Sequence, residues 1–417
     1  MNAEVFKRII REGQEEILNV ELYYRNFDFE ENGRYVLVGV RQAGKSYLLY
    51  QRAKSMIHDG VSVNDIVYVN FDDERLLGMT AGDFDLILQA YSSMYSGTPV
   101  LFFDEIQNID GWEHFARRLA NQKYKIFITG SNAKMLSRDI ATTLGGRFFD
   151  DVVYPYSFAE YVGSKGVALD ENWMYSDVKN DVIRYFNEYF YWGGFPELQL
   201  YSNKRNWLNG LYEKILLGDI ILRNKVKNGN AIRLAIKRLA ENIKQPTAYN
   251  RLTNMIKSTG INTNTASVIE YIGYVKDSCI MFSLDNFVSK FSDRESIKKH
   301  YFVDNGILNI FLNDGETSLL ENICAIHLYR KHAGKLYYYN KNIEIDFYIP
   351  EENTGVQASF SMENADTFQR EADALEKMDS VYPLEKMQIV TFNEESEIRL
   401  QNGKTIEIVP VWKWLLS

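Results

Sequence analysis

Four short apolar runs mark the first third of the chain, and each ends abruptly in polar residues. Tyr35-Val36-Leu37-Val38 leads into Gly39, and Ile66-Val67-Tyr68-Val69-Asn70-Phe71 into Asp72-Asp73. Val100-Leu101-Phe102-Phe103 ends in Asp104-Glu105, and Lys125-Ile126-Phe127-Ile128 in Thr129-Gly130-Ser131-Asn132. Runs this short and this continuous predict strands buried on both faces. Between them lie stretches with helical character: the segment after Ser46, the region near Asp83 to Tyr95, and Trp112 to Asn121. Strands alternating with helices at this spacing predict a mainly parallel sheet with helices on both faces. Ligands of such sheets bind at the carboxyl ends of the strands, where every one of these polar clusters falls.

The first cluster is Gly39-Val40-Arg41-Gln42-Ala43-Gly44-Lys45-Ser46, the P-loop pattern of Gly, four residues, then Gly-Lys-Ser/Thr. A strand delivers it, and Tyr47-Leu48-Leu49-Tyr50 opens a helix after it. In that setting the glycines let the backbone curl, so that amide groups at the helix start face phosphate oxygens. Gly39, Arg41, Gln42, Ala43, Gly44, Lys45, Ser46 and Tyr47 are the candidate nucleotide-binding residues. Lys45 is expected on the β- and γ-phosphates and the Ser46 hydroxyl on Mg²⁺.

Asp104-Glu105 supplies the complementary half of such a site. Asp104 is expected to hold the Mg²⁺ shell, and Glu105 to accept a proton from the attacking water as general base. Ser131 or Asn132, on the neighbouring strand end, either senses the γ-phosphate or caps the following helix. Arg147, after Gly145-Gly146, either neutralises charge developing in phosphoryl transfer or is a surface arginine beside a flexible pair.

Composition narrows the class. With 417 residues, two or three domains are expected, and 46% hydrophobic with 25% charged residues is the balance of a soluble globular protein. No apolar run has the length of a membrane span. Met1 to Asn19 reads as an amphipathic helix without a signal peptide's apolar region. The two cysteines, Cys279 and Cys324, form no metal or disulfide framework and suit a reducing cytoplasm. The net charge of −9 argues against indiscriminate nucleic-acid binding, yet residues 205–300 hold 16 Lys/Arg against 8 Asp/Glu.

Taken together, Gly39 to Ser46, Asn70-Phe71-Asp72-Asp73-Glu74-Arg75, Asp104-Glu105-Ile106-Gln107-Asn108, Thr129-Gly130-Ser131, Gly146-Arg147 and Tyr154-Pro155-Tyr156-Ser157-Phe158 have a family's order. They resemble the large bacterial and archaeal group of AAA-type ATPases with an uncharacterised C-terminal half. Gly193-Gly194-Phe195-Pro196-Glu197 and the stretch Asp219 to Arg223 are similar to that group's helical region. The resemblance implies ATP as the nucleotide, with Mg²⁺.

In the basic stretch, Ile232 to Ile243 reads as a helix carrying Arg233, Lys237 and Arg238. Tyr249 to Lys276 reads as two helices broken at Gly260, and Ile280 to Leu284 as a wing strand. A winged helix-turn-helix fits, as the resemblance also implies; it contacts DNA through residues 229–290, docks a protein, or is structural. The final hundred residues read helix (Glu316 to His332), strands (Lys335 to Tyr339, Glu344 to Ile349, Gly355 to Ala358), helix (Ala365 to Met378). That order resembles the restriction-endonuclease-like nucleases, with Asp346 as the first acid and Glu321 as the acid of the preceding helix. Where that fold carries a second acid and a lysine, this chain has Gln357 and Ser359, and Lys341 is the nearest lysine in sequence. Mg²⁺ would lose a charged ligand there, so an inactive nuclease-like module is expected.

The expected architecture is therefore α/β. It comprises a P-loop domain over 1–155, a helical region over 156–228, a winged helix over 229–312 and an inactive nuclease-like domain over 313–417. The expected activity is cytoplasmic, Mg²⁺-dependent ATP hydrolysis, with a partner engaged through the C-terminal half. Its rivals are a nucleotide-dependent switch or scaffold with negligible turnover, and an ATP-regulated DNA-binding or DNA-cleaving protein.

Overall fold

In the computed structural model, which describes residues 1–332 and 334–417, the chain divides into two units. The first holds residues 1–154 with 277–279, and the second residues 155–276 with 280–417.

The first unit runs α1 (Ala3–Asn19), β1 (Tyr35–Val38), α2 (Lys45–His58), β2 (Ile66–Asn70), α3 (Asp85–Met94), β3 (Val100–Asp104), α4 (Trp112–Asn121), β4 (Ile126–Gly130), α5 (Arg138–Leu144) and β5 (Phe149–Val152). Its five strands are all parallel, in the order β2-β3-β4-β1-β5. Alternate side chains of a strand face opposite sides of a sheet, and here both sides are covered. Val36, Val38, Val67, Val69, Leu101, Phe103, Ile126 and Ile128 enter one core with Phe6, Ile9 and Ile10 of α1 and Phe115 and Leu119 of α4. On the other side Tyr35 and Phe102 stack on Phe127 at 6.0 and 4.9 Å, with the Arg52 guanidinium of α2 over the same ring. The apolar runs are continuous because neither face meets water.

The second unit begins with α6 (Phe158–Ser164), α7 (Val178–Trp192), α8 (Lys204–Lys214) and a π-helical stretch, Ile215–Leu222. Then come α9 (Gly229–Glu241), β6 (Thr247–Ala248), α10 (Tyr249–Lys257), α11 (Thr265–Asp277), β7 (Met281–Asn286), α12 (Phe291–Arg294), β8 (Ile297–Phe302) and α13 (Asn305–Asn309). The rest is α14 (Glu316–Lys331), β9 (Tyr337–Asn340), β10 (Glu344–Ile349), β11 (Thr354–Ala358), α15 (Ala365–Val381), β12 (Lys386–Thr391), β13 (Ser396–Arg399), β14 (Thr405–Pro410) and α16 (Val411–Trp414).

Among the described residues the nine strands of this unit belong to one mixed sheet, ordered β13-β14-β12-β11-β10-β9-β7-β8-β6. This differs from the expected division at 312/313. The segment read as a wing strand, β7, pairs with β8 on one edge and in parallel with β9 on the other, with Asp285 opposite Tyr337 and Asn286 opposite Tyr338. An unpaired edge would leave backbone amides and carbonyls bare, and pairing across the boundary removes that liability. Leu375 and Met378 of α15 pack on Ile389, Ile406 and Ile408 of the sheet. Among the described residues no helix is long and apolar enough to cross a membrane.

Candidate nucleotide site

The strand order places β4 between β1 and β3, so the loop after β1 and the acids ending β3 flank the end of β4. The Gly39 amide donates to the Gly130 carbonyl at 3.2 Å, fastening the loop to β4. A Cβ on Gly39 would lie 2.1 Å from the Val153 carbonyl oxygen, so a side chain there would force the backbone apart. Gln42 (φ 62°) and Gly44 (φ 96°) take left-handed conformations that curl the loop into α2. The first amides of a helix have no partner within it, and α2 begins at Lys45, directly after the loop.

Lys45, only 4% exposed, folds back into this curl. Its Nζ donates to the Gly39 and Val40 carbonyls at 3.0 and 3.2 Å and lies 3.2 Å from Glu105 Oε1. Asp104 is 1% exposed at the end of β3. It accepts from the Tyr68 hydroxyl of β2 at 2.8 Å and from Thr129 Oγ1 of β4, and the neighbouring Ser46 side chain favours its charged form. Parallel register explains Tyr68: Asn70 pairs with Asp104, so the two strand ends lie side by side.

Glu105 sits in a left-handed conformation (φ 52°), uncommon for a residue with a side chain. Its amide donates to Thr129 Oγ1 at 3.0 Å, and its Oε2 accepts from Gln107 Nε2 at 2.6 Å. Gln107 also reaches the Ser131 hydroxyl at 3.3 Å. The two neighbouring acids are driven in opposite directions. Burial, reinforced by the charge of Glu105, raises Asp104 against the hydrogen bonds of Ser46, Thr129 and Tyr68. Burial pushes Glu105 upward too, but Lys45 and the Gln107 bond outweigh it and bring Glu105 down to about 2. Opposed acidities in adjacent carboxyls are a mark of acid–base sites.

The other predicted residues are distributed unevenly. Ser131 is buried beside Gln107, whereas Asn132 caps the turn that follows, its Oδ1 accepting from the Lys134 amide at 3.0 Å. Arg41 pairs with Asp72 at 3.3 Å, on the rim. Ala43 is buried, and Tyr47 is 54% exposed, edge-on to Tyr50 at 5.8 Å. Arg147 is exposed and donates to its own loop, to the Gly145 carbonyl at 3.1 Å. Among the described residues it makes no bond to the Lys45–Glu105 cluster.

Three residues were not singled out from the sequence. Arg25 donates from Nη1 to the Ala43 and Tyr154 carbonyls, both at 3.1 Å, bracing the loop from behind. Tyr68 and Gln107 orient the two acids. Tyr68 lies in an apolar strand where a tyrosine passes for core, and Arg25 belongs to no pattern. In the second unit Glu321 and Asp346 are brought together, but by Lys299 at 3.2 and 3.1 Å rather than by Lys341. Gln357 and Ser359 are both buried near the same strand ends.

A model of the AAA domain matches residues 31–162, and a model of a domain of unknown function, DUF8612, matches residues 183–318. The uncharacterized protein MJ1544 of Methanocaldococcus jannaschii is 30% identical over 431 residues, covering 99% of this chain and 95% of that protein. An uncharacterized protein of Haemophilus influenzae is 29% identical over 424 residues, covering 97% and 98%. Among solved structures the chain is similar to a Walker-type ATPase of Pyrococcus abyssi, at a TM-score of 0.43 and 13% identity, over 74% of this chain and 95% of that one. With its P-loop sheet and its match along nearly the whole of the Methanocaldococcus protein, the chain belongs to that protein's family, a family of AAA-type P-loop ATPases whose C-terminal half has no known function.

Proposed function

We propose that the chain binds ATP with Mg²⁺ between the Gly39–Ser46 loop and the end of β3, and hydrolyses it. The observation that carries this reading is the convergence of Lys45, Ser46, Asp104 and Glu105 in one cluster, with Lys45 and Asp104 buried. The donor set suits Mg²⁺: the Ser46 hydroxyl is near enough to the Asp104 carboxylate to favour its charged form, so two hard oxygen donors lie near each other. Bound there with nucleotide, the ion would neutralise charge on the phosphate oxygens. Lys45 would turn from the loop carbonyls to the phosphates. Tyr68 and Thr129 hold the Asp104 carboxylate in place, and Gln107 holds that of Glu105. Glu105 would orient the attacking water and take its proton, and Ser131, joined to Glu105 through Gln107, would lie beside the terminal phosphate.

One observation favours the rival reading of a switch with negligible turnover. Paired with Lys45 and brought down to about 2, Glu105 is a poor base, so hydrolysis requires nucleotide binding to free it. Titration calorimetry with ATP·Mg²⁺ and phosphate release by the purified protein test both readings. Binding with steady phosphate release supports hydrolysis, binding without release supports the switch, and no binding removes both.

A further inference from the structure

The second unit gathers three carboxylates around one buried ammonium. Lys299, on β8, is 0% exposed. Its Nζ lies 3.2 Å from Glu321 Oε1 on α14, and 3.1 and 3.3 Å from Asp346 Oδ1 and Glu344 Oε1 on β10. An ammonium has three N–H donors and no acceptor, and here it donates to Glu321 and Asp346 with Glu344 at ion-pair distance. Two of these acids and their neighbours make further bonds. Asp346 Oδ2 accepts from the Ala358 amide at 3.1 Å, and Glu321 Oε1 accepts from the Tyr301 hydroxyl at 2.7 Å. Gln357 accepts from the Asp346 amide at 2.8 Å and donates to the Glu344 carbonyl and to Glu371 Oε2 at 3.0 and 2.9 Å. The Ser359 hydroxyl bonds within its own turn, to the Ser361 carbonyl at 3.2 Å.

Glu321 is buried, while the Asp346 and Glu344 side chains are 15% and 41% exposed; carboxylates held this close repel one another and need a cation among them. A divalent ion supplies two charges and requires several oxygens around it. A lysine supplies one charge, fixed to the chain, and needs three acceptors. We propose that the Lys299 ammonium is the resident cation of this centre, standing where a metal ion would otherwise be needed, so that the sheet of the second unit folds around a metal-free and non-hydrolytic centre. The opposing arrangement is a lysine displaced onto β8 that serves a metal-dependent nuclease. It requires carboxylates open to an ion, and among the described residues no three acidic, histidine or cysteine side chains are arranged to hold one.

The test uses the full-length, nucleotide-free protein and Mn²⁺ as probe, read by paramagnetic resonance and by thermal melting with EDTA or Mn²⁺. Mn²⁺ bound at the P-loop is common to all variants. Lys299→Ala should melt lower in EDTA, recover in Mn²⁺, and gain one Mn²⁺ equivalent over the wild type; adding Asp346→Asn should abolish that gain. Asp346→Asn in the otherwise wild-type protein should leave Mn²⁺ binding unchanged, a result that decides the question even if Lys299→Ala does not fold. Three outcomes overturn the proposal: wild-type Mn²⁺ binding that falls in Asp346→Asn, a folded Lys299→Ala that gains no ion, or Mn²⁺-dependent plasmid cleavage lost in Asp346→Ala.

Discussion

Lys45 Nζ lies 3.2 Å from Glu105 Oε1, with the two side chains 3% and 12% exposed. The ammonium's other contacts are the Gly39 and Val40 carbonyls, so its donors are all engaged within the protein. Under the proposed function an arriving phosphate would displace one or more of these three partners, and displacing the glutamate would release the candidate base.

The pairing predicts a specific pattern of stability. Lys45→Ala leaves Glu105 buried without its cation, and breaking a buried pair costs about 3–5 kcal/mol. Lys45→Ala should therefore destabilise the nucleotide-free protein, and adding Glu105→Gln should restore much of the loss. Denaturant melts of the two single variants and the double variant measure this. Additive losses would show that the two residues do not interact.

Tyr68 should matter for the metal and not for the nucleotide alone. Tyr68→Phe removes one donor from Asp104 while Thr129 and Ser46 remain, a loss of about 1–3 kcal/mol for a buried acceptor left short. The expected result is several-fold weaker Mn²⁺ binding in the presence of a non-hydrolysable ATP analogue, with unchanged analogue affinity in EDTA. Equal Mn²⁺ affinity in the two proteins would remove Tyr68 from the site.

Acid should act on the second unit through two histidines, His300 buried and His327 partly buried. Burial lowers His300 to about 3 and His327 to about 4, from an ordinary 6.5. The unfolded chain takes up their protons as pH falls through 6.5 and the folded chain does not. Stability is therefore lost from 6.5 down to about 4 for His327 and further for His300. Each contributes about 1.4 kcal/mol per pH unit over its range. Asp304, raised to about 6 by burial, works in the opposite direction, so the histidine part is read by difference. Replacing His300 and His327 with Gln should flatten the acid side of the stability profile relative to the wild type. Parallel profiles would mean the rings are already accessible to protons.

The basic stretch should bind DNA weakly. Arg233 is chelated by Glu213, its Nη2 2.9 Å from Oε2, and Arg238 pairs with Glu241 at 2.8 Å; Lys237 is exposed. Two of the three charges proposed for phosphate contact are thus already partnered. Anisotropy with labelled duplex over a salt series should show little change on joint replacement of Arg233, Lys237 and Arg238. A salt slope that falls by about one per residue removed would establish phosphate contacts instead.

Much of the first unit was legible because its strands are local and apolar on both faces, and because Gly39 to Ser46 carries its geometry in its spacing. Asp104-Glu105 stood out because it ends an apolar run. Tyr68 did not, since its role depends on which strand lies beside β3, a non-local fact. The second unit was harder for the same reason. The pairing of β7 with β9 joins segments about 50 residues apart and merges what read as two domains. Lys299 sits in Ile297-Lys298-Lys299-His300, which reads as a polar edge, yet the strand turns Lys299 inward onto acids from two other elements. Arg147 followed a glycine pair as expected, but the loop folds its guanidinium back on itself.

The proposed hydrolysis rests on Glu105 as the base. Its most direct test is single-turnover cleavage of labelled ATP·Mg²⁺ by wild type and Glu105→Gln, each saturated with nucleotide as judged by calorimetry. Removal of Lys45's competing partner should leave ATP affinity equal or tighter in Glu105→Gln, while the cleavage rate falls by about 10²–10⁴-fold. Cleavage by Glu105→Gln at the wild-type rate would contradict the account.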